Sequence, residues 1–303
     1  MIKRLLLYMS EQPRLQQMAT RMEVSRRVAH RFVAGEKFPD AVEAIHALNQ
    51  KGFTATADYL GEMVGNQEDA QRATDEYLRA LQSIHANQLN SNVSLKLTQF
   101  GLGIDEEFCR NNVEQIVKCG NELNNFVRID MEGSPYTDST LRVFTSLRKQ
   151  YENVGIVIQA YLFRSEKDIQ DVLQLQSRIR LCKGAYKEPP DISFKEKSGT
   201  DANFVKLMKI LLQSGVYHGI ATHDPAMIQA TKDFSQQQNI GKDQFEFQML
   251  YGVRRDLQEG LLKEGYRVRI YVPYGEEWYS YLMRRMAERP ANLLFVLRNL
   301  FRG

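Results

Sequence analysis

The chain has 303 residues, 43% hydrophobic and 25% charged, with 40 basic residues against 37 acidic ones and a formal net charge of +3. That is material for one large domain or two small ones, and the charge balance is too even for a nucleic-acid-binding surface. Three cysteines, Cys109, Cys119 and Cys182, show no CxxC spacing and leave an odd count, so neither a disulfide framework nor a zinc site is expected and a reducing cytoplasm is the natural setting.

Residues 1–50 read as helical. The opening apolar run, Leu5 to Met9, is shorter than the roughly 7–15 residues of a signal-peptide core, and no stretch approaches the roughly 18 apolar residues of a membrane span. Pro39-Asp40 begins a helical segment that stops at Gly52. From there the pattern alternates between short β-branched or aromatic runs and amphipathic stretches of helical period. The candidate strands are Phe53–Leu60, Val93–Thr98, Phe126–Met131, Val154–Ala160, Arg178–Gly184, Tyr217–Thr222, Phe245–Leu250 and Arg267–Val272. Helix-patterned segments fall around 67–86, 105–123, 137–151, 165–177, 201–214, 225–237 and 254–264. After the eighth strand come a Pro273-Tyr274-Gly275 turn and one more helix.

Eight strand–helix pairs in sequence predict a parallel sheet with right-handed crossovers, and eight is the number that closes a (βα)8 TIM-like barrel. A doubly wound open sheet is the alternative. The barrel is preferred because a polar residue stands at every strand's C-terminal end: Glu62, Lys96 and Thr98, Asp130 and Glu132, Gln159, Arg180 and Lys183, Thr222 and His223, Gln248, Tyr271. With no linker or low-complexity tract in view, the expected organisation is a helical extension over residues 1–50 and a catalytic barrel over residues 51–303.

Four features carry chemistry. In the last helix Tyr281, Arg284, Arg285 and Glu288 are spaced i, i+3, i+4, i+7 and share one face. The arginine pair offers two guanidinium forks for a carboxylate or phosphate, and the tyrosines a wall for an apolar body. Lys96 interrupts an apolar strand and needs a partner, for which Asp130 is the expected choice. Arg180, Lys183 and Gly184 crowd one strand end where a phosphate or an electron-rich ring would fit, although no P-loop or GxGxxG spacing is present. His223 ends the sixth strand with no second ligand at metal spacing, so it reads as a structural hydrogen-bonding group and metal catalysis is not expected. The tail from Ala291 to Gly303 is amphipathic and basic, suited to packing on the barrel or touching a membrane surface.

Together SLKLT, RIDME, IQAYL, RIRLCKGAY, ATHD, FEFQMLYG and RIYVPYG followed by YLMRRMAE, each at a strand end and in this order, resemble the proline dehydrogenase family from about Phe53 to Glu288. The resemblance implies a distorted barrel, its last helix over the mouth, that binds FAD without a Rossmann domain. It also implies oxidation of L-proline to Δ1-pyrroline-5-carboxylate by hydride transfer from the ring carbon next to nitrogen to flavin N5. On this pattern Arg284 and Arg285 grip the proline carboxylate with Glu288 close by, Tyr271 and Tyr281 pack beside the ring, Leu250 walls it, and Lys96 and Asp130 form a charged floor. Arg180 lies near N5, and Asp130, Gln159, Lys183, Gly184, Ala185, Tyr186, Thr222, His223 and Gln248 hold the rest of the cofactor. The family also points to a quinone acceptor, and so to a peripheral contact with the inner face of a membrane. Lys187 stands where the long bifunctional relatives often have a tryptophan, which leaves the adenine contact open. The rival chemistry is a Schiff-base lyase on Lys96 or Lys183.

Overall fold

Eight parallel strands close on themselves in sequential order, β1 to β8, with the last hydrogen-bonded to the first. The computed structural model describes residues 29–288 apart from Glu62, with the backbone alone for residues 284–288. Helix α1 (Phe38–Gln50) precedes β1 (Thr54–Tyr59), and then α2 (Gln67–Ala86), β2 (Ser91–Lys96), α3 (Glu106–Glu122), β3 (Val127–Asp130), α4 (Thr137–Arg148), β4 (Val154–Gln159) and α5 (Ser165–Gln174) alternate. The series continues with β5 (Ile179–Cys182), α6 (Lys197–Gln213), β6 (His218–Ala221), α7 (Pro225–Gln237), β7 (Phe245–Leu250), α8 (Arg255–Lys263), β8 (Arg267–Tyr274) and α9 (Trp278–Glu288). The closed barrel of the sequence reading is present and the open sheet is not.

Helix starts follow local chemistry. Asn66 and Asp105 cap α2 and α3 by accepting from Asp69 N (2.9 Å) and Phe108 N (2.6 Å). Asp224 caps α7 through Ala226 N (3.1 Å), with Pro225 in the first turn. Helix α6 begins at Lys197, four residues before the expected 201. Helix α1 docks at the closure of the barrel, where Phe38 meets Tyr274 edge-on at 5.1 Å.

The predicted turn at Pro273 is a correction, because β8 runs through Pro273 to Tyr274, paired with Asp58 and Tyr59 of β1. On its other side β7 has already ended, opposite Tyr271. The missing proline N–H therefore faces no ladder partner. Gly275, with φ +127°, makes the turn.

Apolar and polar residues alternate along the strands, and the apolar set faces outward. Ala55, Ala57, Val93, Leu95, Val127, Ile129, Ile156, Ile158, Ile179, Leu181, Ile220, Phe247 and Ile270 are buried in the main hydrophobic cluster with the inner faces of the helices. Helix α2 contributes Ala73, Tyr77, Ala80, Leu81 and Ile84, an i, i+4, i+7, i+8, i+11 stripe. Tyr77 is fully buried; its hydroxyl donates to Ser94 O (2.6 Å) and accepts from Tyr59 N (3.2 Å), tying α2 to both β1 and β2. Tyr77→Phe removes that donor and acceptor without opening a cavity. We expect the urea midpoint to fall by the equivalent of about 1–3 kcal/mol at unchanged slope. A loss under about 0.5 kcal/mol would mean the hydroxyl is dispensable.

Candidate active site

The other strand face lines the lumen, and it is charged. Lys96, Arg128, Arg180 and Arg269 enter it from β2, β3, β5 and β8, against Asp58, Asp130 and Glu246 from β1, β3 and β7. Each of Lys96, Arg180 and Arg269 is hydrogen-bonded to one carboxylate: Lys96 Nζ to Asp58 Oδ1 at 2.9 Å, Arg180 Nη1 to Asp130 Oδ1 at 2.8 Å, and Arg269 Nε to Glu246 Oε1 at 2.7 Å. Such pairs hold in a dry interior only when further hydrogen bonds complete them.

Asp130 is the most heavily served of the three. It accepts from Arg180, from Ser94 Oγ (2.6 Å) and from Tyr271 OH (2.8 Å). Burial raises its carboxyl, but the cations of Arg180 and Lys96 outweigh that and hold it below the usual carboxylate range. For Asp58 burial wins and the carboxyl is raised, with the Lys96 charge opposing. Burial first, and then the Asp130 charge, push the Tyr271 phenol well above its ordinary value. Tyr271 therefore acts as a donor to Asp130, and its ring lies 5.1 Å from the Arg180 guanidinium carbon.

The expected ion pair of Lys96 with Asp130 is present at 3.8 Å, but a second carboxylate, Asp58, stands nearer and takes the hydrogen bond, while Asp130 also serves Arg180 across the lumen. Lys96 lies on the strand between β1 and β3, and no sequence rule chooses between two flanking carboxylates. Asp58 and Ser94 were missed by sequence reasoning. Both are polar residues at lumen-facing positions of strands, where alternation points them out once the register is known.

The remaining predicted residues fall around the mouth. Gln159 is buried and donates to Glu132 O at 2.9 Å. Gln248 accepts from Arg180 Nε and donates to Glu246 Oε1 at 2.6 Å. Thr222 Oγ1 accepts from Asp224 N, and His223 Nε2 accepts from Leu250 N at 2.9 Å. Lys183 takes its partners from α6 and α7: it binds Asp201 and, at 2.7 Å, Asp224. Gly184 has φ +109°, and a Cβ there would lie 2.0 Å from the Tyr161 ring, so only glycine lets the loop after β5 lie so close. Ala185 and Tyr186 follow, exposed, on that loop. Leu250 packs against the cluster containing Tyr281, Leu60, Val253 and Trp278, so these two predicted wall residues do come together. Glu62, the side chains of Arg284, Arg285 and Glu288, the first 28 residues and the tail lie outside the described residues.

A closed parallel barrel with desolvated acids, cations and a phenol converging at the C-terminal ends of its strands defines a (βα)8-barrel enzyme. Residues 41–298 match the family model of proline dehydrogenase. Over 302 residues the chain is 42% identical to proline dehydrogenase 1 of Bacillus subtilis (strain 168), covering 100% of both chains. It is 44% identical to proline dehydrogenase 2 of the same organism, covering 91% of each, and 38% identical to proline dehydrogenase of Deinococcus radiodurans, covering 99% of this chain and 98% of the other. Among solved structures, proline utilization A (PutA) from Bdellovibrio bacteriovorus inactivated by N-propargylglycine superposes with a TM-score of 0.82 at 26% identity, over 87% of this chain and 33% of that protein. The chain thus spans about a third of PutA. It belongs to the proline dehydrogenase family, and its reaction class is that of an oxidoreductase acting on proline.

Proposed function

We propose that the protein catalyses the first step of proline catabolism, oxidising L-proline to Δ1-pyrroline-5-carboxylate with FAD as the immediate acceptor and a quinone as the terminal one. The observation that carries this reading is Arg180. Its Nε and Nη1 are fixed by Gln248, Asp130 and Ser94, yet its buried Nη2 has no acceptor among the described residues. A buried charged donor left over at the mouth fits an acceptor-rich ring system, and Gly184 provides close backbone approach beside it.

When bound, FAD supplies the hydride acceptor, which the protein's own side chains cannot. Arg180, Gln159, Gln248, Thr222, His223 and the Lys183–Tyr186 segment would hold it, together with Asp130 through Arg180. The Lys183 ammonium is already anchored by Asp201 and Asp224, so it reaches the cofactor as a fixed charge and not a swinging one.

The protein's residues aim the substrate. Arg284 and Arg285 take the carboxylate with Glu288 beside them, Tyr281 and Leu250 exclude water from the ring, and Tyr271, immobilised by Asp130, packs on its face. Lys96, held by Asp58, gives the pocket a cationic floor. Oxidation of the carbon–nitrogen bond needs the amine lone pair, so the substrate amine loses its proton before the hydride departs. Residues 51–303 form the catalytic barrel on this reading and residues 1–50 an appendage to it. No helix among the described residues is long and apolar enough to cross a membrane. On this reading electrons reach the quinone through a peripheral contact with the membrane face.

Purified protein should be yellow, and anaerobic L-proline should bleach its flavin absorbance. A colourless protein that cannot be reconstituted with FAD would end this reading, and trapping of substrate on a lysine by borohydride would replace it with the lyase. Replacing Arg284 or Arg285 by methionine should raise KM for proline at least tenfold while FAD content stays near wild type. Equal loss of both would mean that the arginines do not serve the carboxylate.

A further inference from the structure

Of the four lumen cations, three are matched with the three lumen carboxylates, and Arg128 is left over. It is 3% exposed, and among the described residues it makes no ion pair. Its Nη1 donates to the carbonyls of Ile156 (3.2 Å) and Arg178 (2.9 Å), its guanidinium lies 4.9 Å from the centre of the Phe126 ring, and its Nε has no acceptor among the described residues. The fold makes room for it: a Cβ on Gly155, the register partner of Arg128 on β4, would come within 2.4 Å of Arg178 O and 3.1 Å of Arg128 Nη1.

Burial pushes this guanidinium down, and the neighbouring Arg180 pushes it further, but an arginine starts so far above neutrality that it keeps its charge. A desolvated cation without a carboxylate is costly and poorly screened. Arg128 stands two residues before Asp130 on β3, one lumen step of about 6.6 Å behind the active-site layer. Glu246, the carboxylate whose charge acts most strongly on Arg128, is already engaged by Arg269 and Gln248.

We propose that Arg128 is a remote electrostatic residue whose unneutralised charge raises the reduction potential of the flavin at the barrel mouth, easing its acceptance of an electron pair from proline. This rests on the FAD reading above. A cofactor that gains negative charge on two-electron reduction is stabilised in that state by a buried positive charge in a low-dielectric lumen, without any contact between the two. Arg128 touches neither substrate nor cofactor on this view; it acts through space, along a column whose other charges cancel.

The test is the midpoint potential of FAD in the purified holoenzyme, measured anaerobically with xanthine, xanthine oxidase and a reference dye. Arg128→Met should lower the equilibrium constant for reduction about tenfold, which for a two-electron couple is about 30 mV. Arg128→Lys, which keeps the charge, should stay within threefold of wild type. Glu246→Gln, which adds to the positive excess, should move the potential upward, and this opposite sign keeps the test decisive should Arg128→Met fail to fold. Potentials that do not follow the charge order, in variants that retain FAD, would overturn the proposal alone. Wild-type protein that takes up no FAD would overturn the cofactor reading and this proposal with it.

Discussion

Asp130→Asn should lower kcat/KM for proline oxidation by two to three orders of magnitude. The carboxylate holds Arg180 at 2.8 Å, accepts from the Tyr271 hydroxyl at 2.8 Å and from Ser94 at 2.6 Å, and lies 3.8 Å from Lys96. An amide of the same size presents one acceptor and one donor where three donors converge. It also leaves Arg180 without its carboxylate partner. Breaking a buried pair from one side costs about 3–5 kcal/mol. If only half of that falls on the transition state, the rate loss is already tenfold or more, and the misplacement of Tyr271 and Arg180 adds to it. Flavin content should be measured alongside, to separate lost cofactor from lost chemistry. An Asp130→Asn enzyme within threefold of wild type would show that the network is scaffolding.

The second large effect concerns stability against acid. His218 opens β6, fully buried, with Nδ1 accepting from Ile179 N at 3.0 Å and Nε2 at 2.9 Å from Ser214 Oγ. Ser214 Oγ in turn donates to Leu211 O. That arrangement fixes the neutral tautomer with its proton on Nε2, because a proton on Nδ1 would face a backbone N–H. Burial, and after it the charges of Arg128 and Arg178, push the imidazole down to about 3. The unfolded imidazole binds its proton near 6.5 and the folded one does not, so stability is complete above pH 6.5 and drains away as pH falls toward 3. Between pH 6.5 and 5, where the carboxylates remain ionised, the loss assignable to His218 should reach about 2 kcal/mol. Urea titrations of wild type and His218→Gln across that interval should therefore converge as pH falls, the variant being weaker at pH 7.5 but flatter. Parallel curves would assign the acid sensitivity elsewhere.

Much of the fold was legible because outward strand faces carry apolar β-branched residues and helices carry a 3.6-residue stripe. The spans 67–86, 225–237 and Phe245–Leu250 agree residue for residue with α2, α7 and β7. Boundaries slipped where tertiary contacts decide: β8 continues past Pro273 because β7 has stopped beside it, and α6 begins early at Lys197, whose ammonium joins Asp201 and Asp224. Site residues at strand ends were legible as a class, since each interrupts an apolar run. Partners were not. Which of Asp58 and Asp130 lies nearer to Lys96, and whether Arg180 donates to Gln248, depends on which strands flank a position and how the barrel is staggered. Arg128, Glu246 and Arg269 were not legible as site residues because they lie inside the strands, one lumen step behind the ends, where only the closed register shows that they face the axis.

The apolar faces of the strands point to the helices and the polar ones to the axis, which reverses the usual filling of such barrels with branched aliphatics. Cohesion therefore resides in the wall between sheet and helices, and the bore adds little grease to it. A refit of the bore that changes matched residues together, cation with carboxylate, should leave the melting temperature nearly untouched, although the same residues changed singly are damaging. The scaffold behaves as a self-supporting pipe whose lining can be exchanged wholesale, a favourable starting point for re-engineering its substrate range.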